Sequence, residues 1–134
     1  MRNFAPNVVH FNREVLGIEQ REKGLLNRAE LELTKKSLEE EVMEFEVAHG
    51  MHDYIGAVDA LIDLMYFAVG GLHKMGVTVD EMERCAEAVH SCNMTKRKGV
   101  VLRRGDGSAA DATKPCEWIG PEQLIAEILG GKQA

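Results

Sequence analysis

The sequence predicts an all-α fold: an antiparallel four-helix bundle with a short hairpin or loop and one further helix at its C-terminal end. Three features lead there. Helix start and stop signals recur through the first 98 residues. The stretches between them carry apolar residues at helical spacing. The connections are short, which sets consecutive helices antiparallel.

Taken in order, Asn7 can cap a first helix from Val8 to Leu16, which Gly17 stops. Asn27, with Glu30 three residues on, forms a capping-box pattern that opens a long helix from Arg28 to about Ala48, closed by His49-Gly50. Asp53 can cap a third helix from Tyr54 to Lys74, ended by Gly76. Thr78-Val79-Asp80-Glu81 is a second capping box, and its helix runs to about Thr95. After Gly99, Val100 to Arg104 reads as a short strand, and Gly105-Asp106-Gly107 as a turn. Pro121 opens a last helix, Glu122 to Leu129. The 134 residues therefore read as one domain, a bundle over about 7–98 with a tail over about 99–134.

Composition narrows the function. The net charge is −6, from 22 acidic and 16 basic residues, and there are only four Phe, two Tyr and one Trp. Both argue against a nucleic-acid partner. No signal-peptide pattern is present, and the longest apolar stretch, Ala60 to Leu72, is interrupted by Asp63 and falls short of a bilayer span. Cys85, Cys92 and Cys116 form no CxxC pair and no even set, which points to reduced thiols and a cytoplasmic protein without a membrane partner.

The chemistry lies in the second and third long helices. On the second, Leu31, Leu38, Val42 and Phe45 share the face expected to meet the core. Ser37, Glu41, Glu44 and Ala48 form the adjacent stripe, with Glu40 one turn from Glu44. The third helix is apolar nearly all round from Ile55 to Leu72, the pattern of a buried helix. Asp59, Asp63 and Tyr66 share its single polar stripe with Gly70. Acidic groups bordering two buried faces need compensation, and such an oxygen-rich cluster suits Mg²⁺ or Mn²⁺. Asn93 and Lys96 extend the expected core face of the fourth helix (Val79, Met82, Ala86, Val89). Arg97, Lys98, Arg103 and Arg104 follow in a cationic run suited to phosphates.

These motifs resemble the all-α nucleoside triphosphate pyrophosphohydrolases, the MazG-like superfamily. The resemblance rests on Glu40-Glu41-Val42-Met43-Glu44 and on Asp59 to Tyr66. His90 to Lys96, with Lys114-Pro115, Trp118 and Pro121, is similar to the small phage and bacterial branch. One departure is Ala60, where a Glu usually precedes the Asp; Asp59 stands beside it. The resemblance implies hydrolysis of a (deoxy)nucleoside triphosphate to the monophosphate and pyrophosphate. Glu40, Glu41, Glu44, Asp59 and Asp63 would hold one or more Mg²⁺ or Mn²⁺ ions. Glu41 or Glu44 would serve the attacking water as base, and Tyr66, Asn93, Lys96, Arg97, Arg103 and Lys114 would contact substrate. It also implies a homodimer or homotetramer, and makes dGTP, GTP and dUTP the leading substrates. His10 and Asn12 are further polar candidates for the base pocket. The tail around Trp118, Leu124, Ile125 and Ile128 covers a neighbour or folds back on its own bundle.

Two rival readings stand beside this one. Glu46-Val47-Ala48-His49 and Glu87-Ala88-Val89-His90 match the Glu-x-x-His string of di-iron bundles. A helical nucleotide-binding regulator without catalysis would share the scaffold.

Overall fold

The computed structural model describes residues 2–96 and 118–130. Among these the chain is entirely helical: α1 (Phe4–Glu14), α2 (Arg28–Gly50), α3 (Tyr54–Lys74), α4 (Val79–Asn93) and α5 (Glu122–Ile128). The strand and turn expected over 100–107 lie outside the described residues. The chain forms two compact units, one up to Met82 and one from Glu83 onward.

Helix boundaries follow the capping chemistry closely. Asn27 Oδ1 accepts from the Glu30 backbone N–H at 2.8 Å, and Glu30 Oε1 accepts from the Asn27 N–H at 3.3 Å. Asp53 Oδ1 accepts from the Gly56 N–H at 2.9 Å. Thr78 and Glu81 complete the second reciprocal box at 3.2 and 3.0 Å. The first helix departs from expectation: it opens at Phe4, and Asn7 lies inside it, its N–H donating to the Asn3 carbonyl at 3.0 Å. Pro6 fits there because the early N–H groups of a helix have no intrahelical acceptor.

In the first unit α2 and α3 run antiparallel in close contact. A methyl on Gly71 would sit 3.5 Å from Thr34 Cγ2, and one on Gly56 would sit 3.4 Å from the Ala48 methyl. Between these ends the register sets Glu41 level with Asp63, and Glu44 level with Asp59 and Ala60. Helix α1 lies along α3 in the same direction. Phe4 and Phe11 meet the Tyr66 ring edge-on, with centroids 6.1 and 5.6 Å away, and Asn12 reaches Gly70 and His73 further along. The 18–27 connector is pinned over the α3–α4 turn. Gln20 Nε2 donates to the Gly76 carbonyl at 3.1 Å, the Gly24 N–H donates to the Met75 carbonyl at 3.1 Å, and Lys23 pairs with Glu81 at 2.9 Å.

The packing faces differ from the expected ones. The inward face of α2 carries Glu41 and Ala48, flanked by half-buried Thr34 and Ser37, whereas Leu31 and Val42 are about half exposed. On α3 the buried residues are Ala57, Ala60, Gly70, Gly71 and His73, so the helix is not enclosed within this chain. Small side chains allow the helix axes to approach, and the larger Val58, Leu61, Ile62 and Met65 remain exposed. On α4, Met82 and Ala88 are buried, while Ala86 and Val89 are exposed. Helix α3 is also long and apolar enough, by length and composition alone, to cross a membrane. The Ala60–Leu72 stretch by itself is shorter than such a span.

In the second unit, the Trp118 indole N–H donates to the Cys92 carbonyl in the last turn of α4 at 3.0 Å. The tryptophan thus folds back on its own chain. Cys85 and Cys92 form no disulfide among the described residues.

Candidate functional site

The α2–α3 register brings four of the five expected metal ligands together. Glu41 is buried at 8% exposure, and its Oε2 has no hydrogen-bond partner. Burial, then the adjoining Glu44 carboxyl, then the charges of Asp63 and Asp59 push Glu41 up to about 7. Asp63, half-buried, is also raised, by burial first and then by the charges of Asp59 and Glu44. Among the described residues, none of Glu41, Glu44, Asp59 and Asp63 has a Lys, Arg or His within ion-pair distance. A buried carboxylate lacking both a cation and a donor is expensive to keep ionised.

Glu40 stands apart. It is exposed, and Lys36 approaches it at 3.9 Å across one helical turn, a pairing of little energetic weight. It nonetheless lines an open groove of about 440 Å³ with Glu44 and Asp59, adjoining the buried Glu41.

The donor chemistry suits a hard divalent cation: carboxylate oxygens only, one of them buried and unpartnered, in a local field that already favours protonation. The side chains are not gathered around a point as they stand. Among the described residues, no group of three or more His, Cys, Asp or Glu is close enough together to hold a metal ion. The acids therefore fit the ion by their chemistry, though not as a closed ligand set.

The expected substrate contacts are distributed over both units. Tyr66 is half-buried against Phe4 and Phe11 and faces a second cavity, of about 230 Å³, between α1, α2 and α3. Asn12 lines the same cavity, whereas His10 is exposed. Asn93 and Lys96 belong to the second unit. There Asn93 is exposed, and the Lys96 ammonium lies 5.2 Å from the centre of the Trp118 ring. Arg97, Arg103, Lys114 and Cys116 lie outside the described residues. Another cavity, of about 500 Å³ between Phe45, His49, Tyr54 and Leu61, holds none of the expected site residues.

Two buried groups were not anticipated as a pair. His73, at 1% exposure, takes a hydrogen bond at Nδ1 from Asn12 Nδ2 at 2.9 Å. Its position just past the apolar run of α3 resembles an ordinary C-terminal helix histidine, so local pattern does not mark it. The Glu-x-x-His strings fare differently: Glu46, His49, Glu87 and His90 are all exposed, which removes the basis for a di-iron centre built from them.

Comparison with known proteins adds a family. Residues 18–93 match the family model described as phosphoribosyl-ATP pyrophosphohydrolase, a span holding α2, α3 and α4 and all five candidate carboxylates. No curated protein matches the sequence.

Proposed function

The chain belongs to the phosphoribosyl-ATP pyrophosphohydrolase family, and on that premise we propose that it is a metal-dependent pyrophosphohydrolase of nucleoside triphosphates. The observation that carries this reading is the buried Glu41 carboxyl facing Asp63, whose Oε2 has no hydrogen-bond partner, inside a cluster that no cation among the described residues pairs with. A protein selected for stability alone would fill that position with an apolar side chain. This argues for catalysis over a regulator that merely kept the scaffold.

In the proposed reaction a water oxygen attacks the α-phosphorus. The bond from that phosphorus to the α,β-bridging oxygen breaks, and pyrophosphate leaves. Glu41, Glu44, Asp59 and Asp63 would hold Mg²⁺ or Mn²⁺, with Glu40 at the mouth of the groove. Such ions, when bound, neutralise phosphate charge and favour ionisation of water. The proton released by the water passes to the Glu41–Glu44 carboxyl pair. Lys96, Arg97, Arg103 and Lys114 are the proposed phosphate contacts. The single unit also leaves Val58, Leu61, Ile62 and Met65 exposed along α3. This apolar face supports a homodimer or homotetramer, which light scattering after size exclusion would test.

The test of the activity is turnover of the standard ribo- and deoxyribonucleoside triphosphates, dUTP and phosphoribosyl-ATP, with Mg²⁺ and separately with Mn²⁺. Phosphoribosyl-ATP belongs in the panel because the matched family carries its name. Monophosphate-level product plus pyrophosphate, absent with Glu44→Gln, is the expected result; dGTP, GTP and dUTP are the first candidates. No turnover of any substrate would overturn the reading.

A further inference from the structure

The end of α4 holds a set of contacts that the carboxylate chemistry does not use. A helix leaves its last four carbonyls without intrahelical partners, and a lysine near that end can turn back to bond them. Here those places are taken. The Met94 N–H donates to the His90 carbonyl at 2.9 Å, and the Lys96 N–H donates to the Asn93 carbonyl at 3.1 Å. The Cys92 carbonyl accepts from three donors: the Thr95 N–H at 3.1 Å, the Thr95 hydroxyl at 2.6 Å and the Trp118 indole N–H at 3.0 Å. A carbonyl oxygen has two lone pairs, so this one has nothing left for an ammonium.

The Lys96 ammonium lies instead over the Trp118 ring, 5.2 Å from its centre and inside the ~6 Å over which an aromatic face attracts a cation. Lys96 and Trp118 are both half-buried, which shields the contact in part from water. Among the described residues no carboxylate stands within ion-pair distance of Lys96, although acidic residues outnumber basic ones 22 to 16 in the sequence. The difference matters for an incoming anion. A carboxylate partner would cancel the ammonium charge and would have to be displaced. A ring face holds the ammonium through its quadrupole, leaves the charge uncancelled and covers only one side of it.

Resting on the pyrophosphohydrolase reading, we propose that Trp118 is a positioning residue for Lys96. Its indole N–H docks on the last turn of α4, and its ring holds the ammonium in the pose that meets a substrate phosphate. The gain is preorganisation. A lysine stem free in water loses its rotamer freedom when a ligand binds, whereas one already laid on a ring has lost much of it during folding. Trp118 itself touches no substrate in this role. Lys96 and Trp118 both lie beyond residues 18–93, so the match to the family does not itself assign the contact.

Steady-state kinetics on the full chain, with a double-mutant cycle over Trp118 and Lys96, test this. Trp118→Leu should raise KM about two- to fivefold, the weight of one cation–π contact, with kcat within about twofold of the wild type. In a Lys96→Met background the same Trp118→Leu substitution should leave KM unchanged, because no ammonium remains to be held. A merely structural tryptophan would cost the same in both backgrounds, and that result overturns the proposal. A KM unmoved by Lys96→Met overturns it too. Trp118 is the one tryptophan of the sequence, so its emission reports on the contact without turnover and without a variant at that position. Inorganic pyrophosphate with Mg²⁺ should shift the wild-type emission saturably, as the anion screens the ammonium beside the ring, and should leave Lys96→Met unshifted. Emission unmoved by pyrophosphate, or moved equally in both proteins, overturns the proposal. A Lys96-dependent shift without turnover of any nucleotide would sink only the hydrolytic reading, and turnover with no coupling between the two residues only this one.

Discussion

Replacing Glu41 by Gln should stabilise the metal-free protein at alkaline pH while abolishing function. The Glu41 pKa rises from 4.5 to about 7 on folding. At 1.36 kcal/mol per pH unit, ionising it in the fold costs about 3 kcal/mol more than in the unfolded chain. The sign follows from proton counts. Between pH 4.5 and 7 the native state holds a proton that the unfolded state has released, so stability falls as pH rises through this window. Above about 7 the loss is complete. Asp63 is raised on folding too and adds to the same downward slope. Glutamine keeps the shape without the charge. In EDTA at pH 8, Glu41→Gln should therefore be more stable than the wild type by about 1–3 kcal/mol, or several degrees in Tm. At pH 4.5 the two should melt within a degree or two of each other. Thermal melts from pH 4.5 to 8.5 measure both curves. A variant that melts lower at every pH, or a wild-type Tm that stays flat from 5 to 7, would refute the argument that Glu41 is kept at a cost.

Further tests address the ion and the frame. Mn²⁺ or Mg²⁺ at pH 8 should raise the wild-type Tm, by an amount corresponding to about 2.7 kcal/mol at a hundred times the Kd. Asp63→Asn should lose most of that shift; equal shifts in both proteins would remove Asp63 from the ligand set. Gly76→Ala should destabilise markedly, by about 2 kcal/mol or more. Gly76 has φ +86, and a Cβ there would lie 2.5 Å from the Glu22 carbonyl oxygen. A Tm within a degree of wild type would show that the connector yields instead. Asn27→Ala should cost about 1 kcal/mol through loss of the α2 cap, read as a lower midpoint in urea at unchanged slope.

The helix starts were legible because capping is local chemistry. Asn27 with Glu30, Asp53, and Thr78 with Glu81 each act within four residues, and all three caps form where the sequence places them. The faces were less legible. Apolar size suggested that Leu31 and Val42 turn inward, but helix approach is decided by what permits close contact. Here that is Ala48, Ala57, Ala60 and Gly71. The α1 start was obscured because Asn7 is a good cap by type and Asn3 bonds only through its backbone. The acidic stripes could be read because unpaired charge on a buried helix is itself anomalous. The Asn12–His73 pair joins residues 61 positions apart, and nothing in local periodicity links them.

The same small residues account for both the packing and the acidity. Glu41 is acidic enough to ionise fully in neutral water, and its proton affinity is raised here because Ala57, Ala60 and Gly71 let α3 come close enough to exclude solvent and set Asp63 opposite it. Enlarging Ala60, which is 2% exposed, should therefore affect chemistry as well as packing. Ala60→Val would wedge the helices apart beside Asp59 and admit water to the Glu41 carboxyl. Its pKa should fall toward the ordinary glutamate range, while overpacking lowers stability by about 1–3 kcal/mol. The two effects oppose each other in the pH profile: a lower Tm at pH 5, and a smaller further loss between pH 5 and 8 than in the wild type. ¹³C titration of the glutamate carboxyls would measure the shift directly. An unchanged Glu41 titration in a folded Ala60→Val protein would mean that its neighbouring charges, rather than the close helix contact, set its proton affinity.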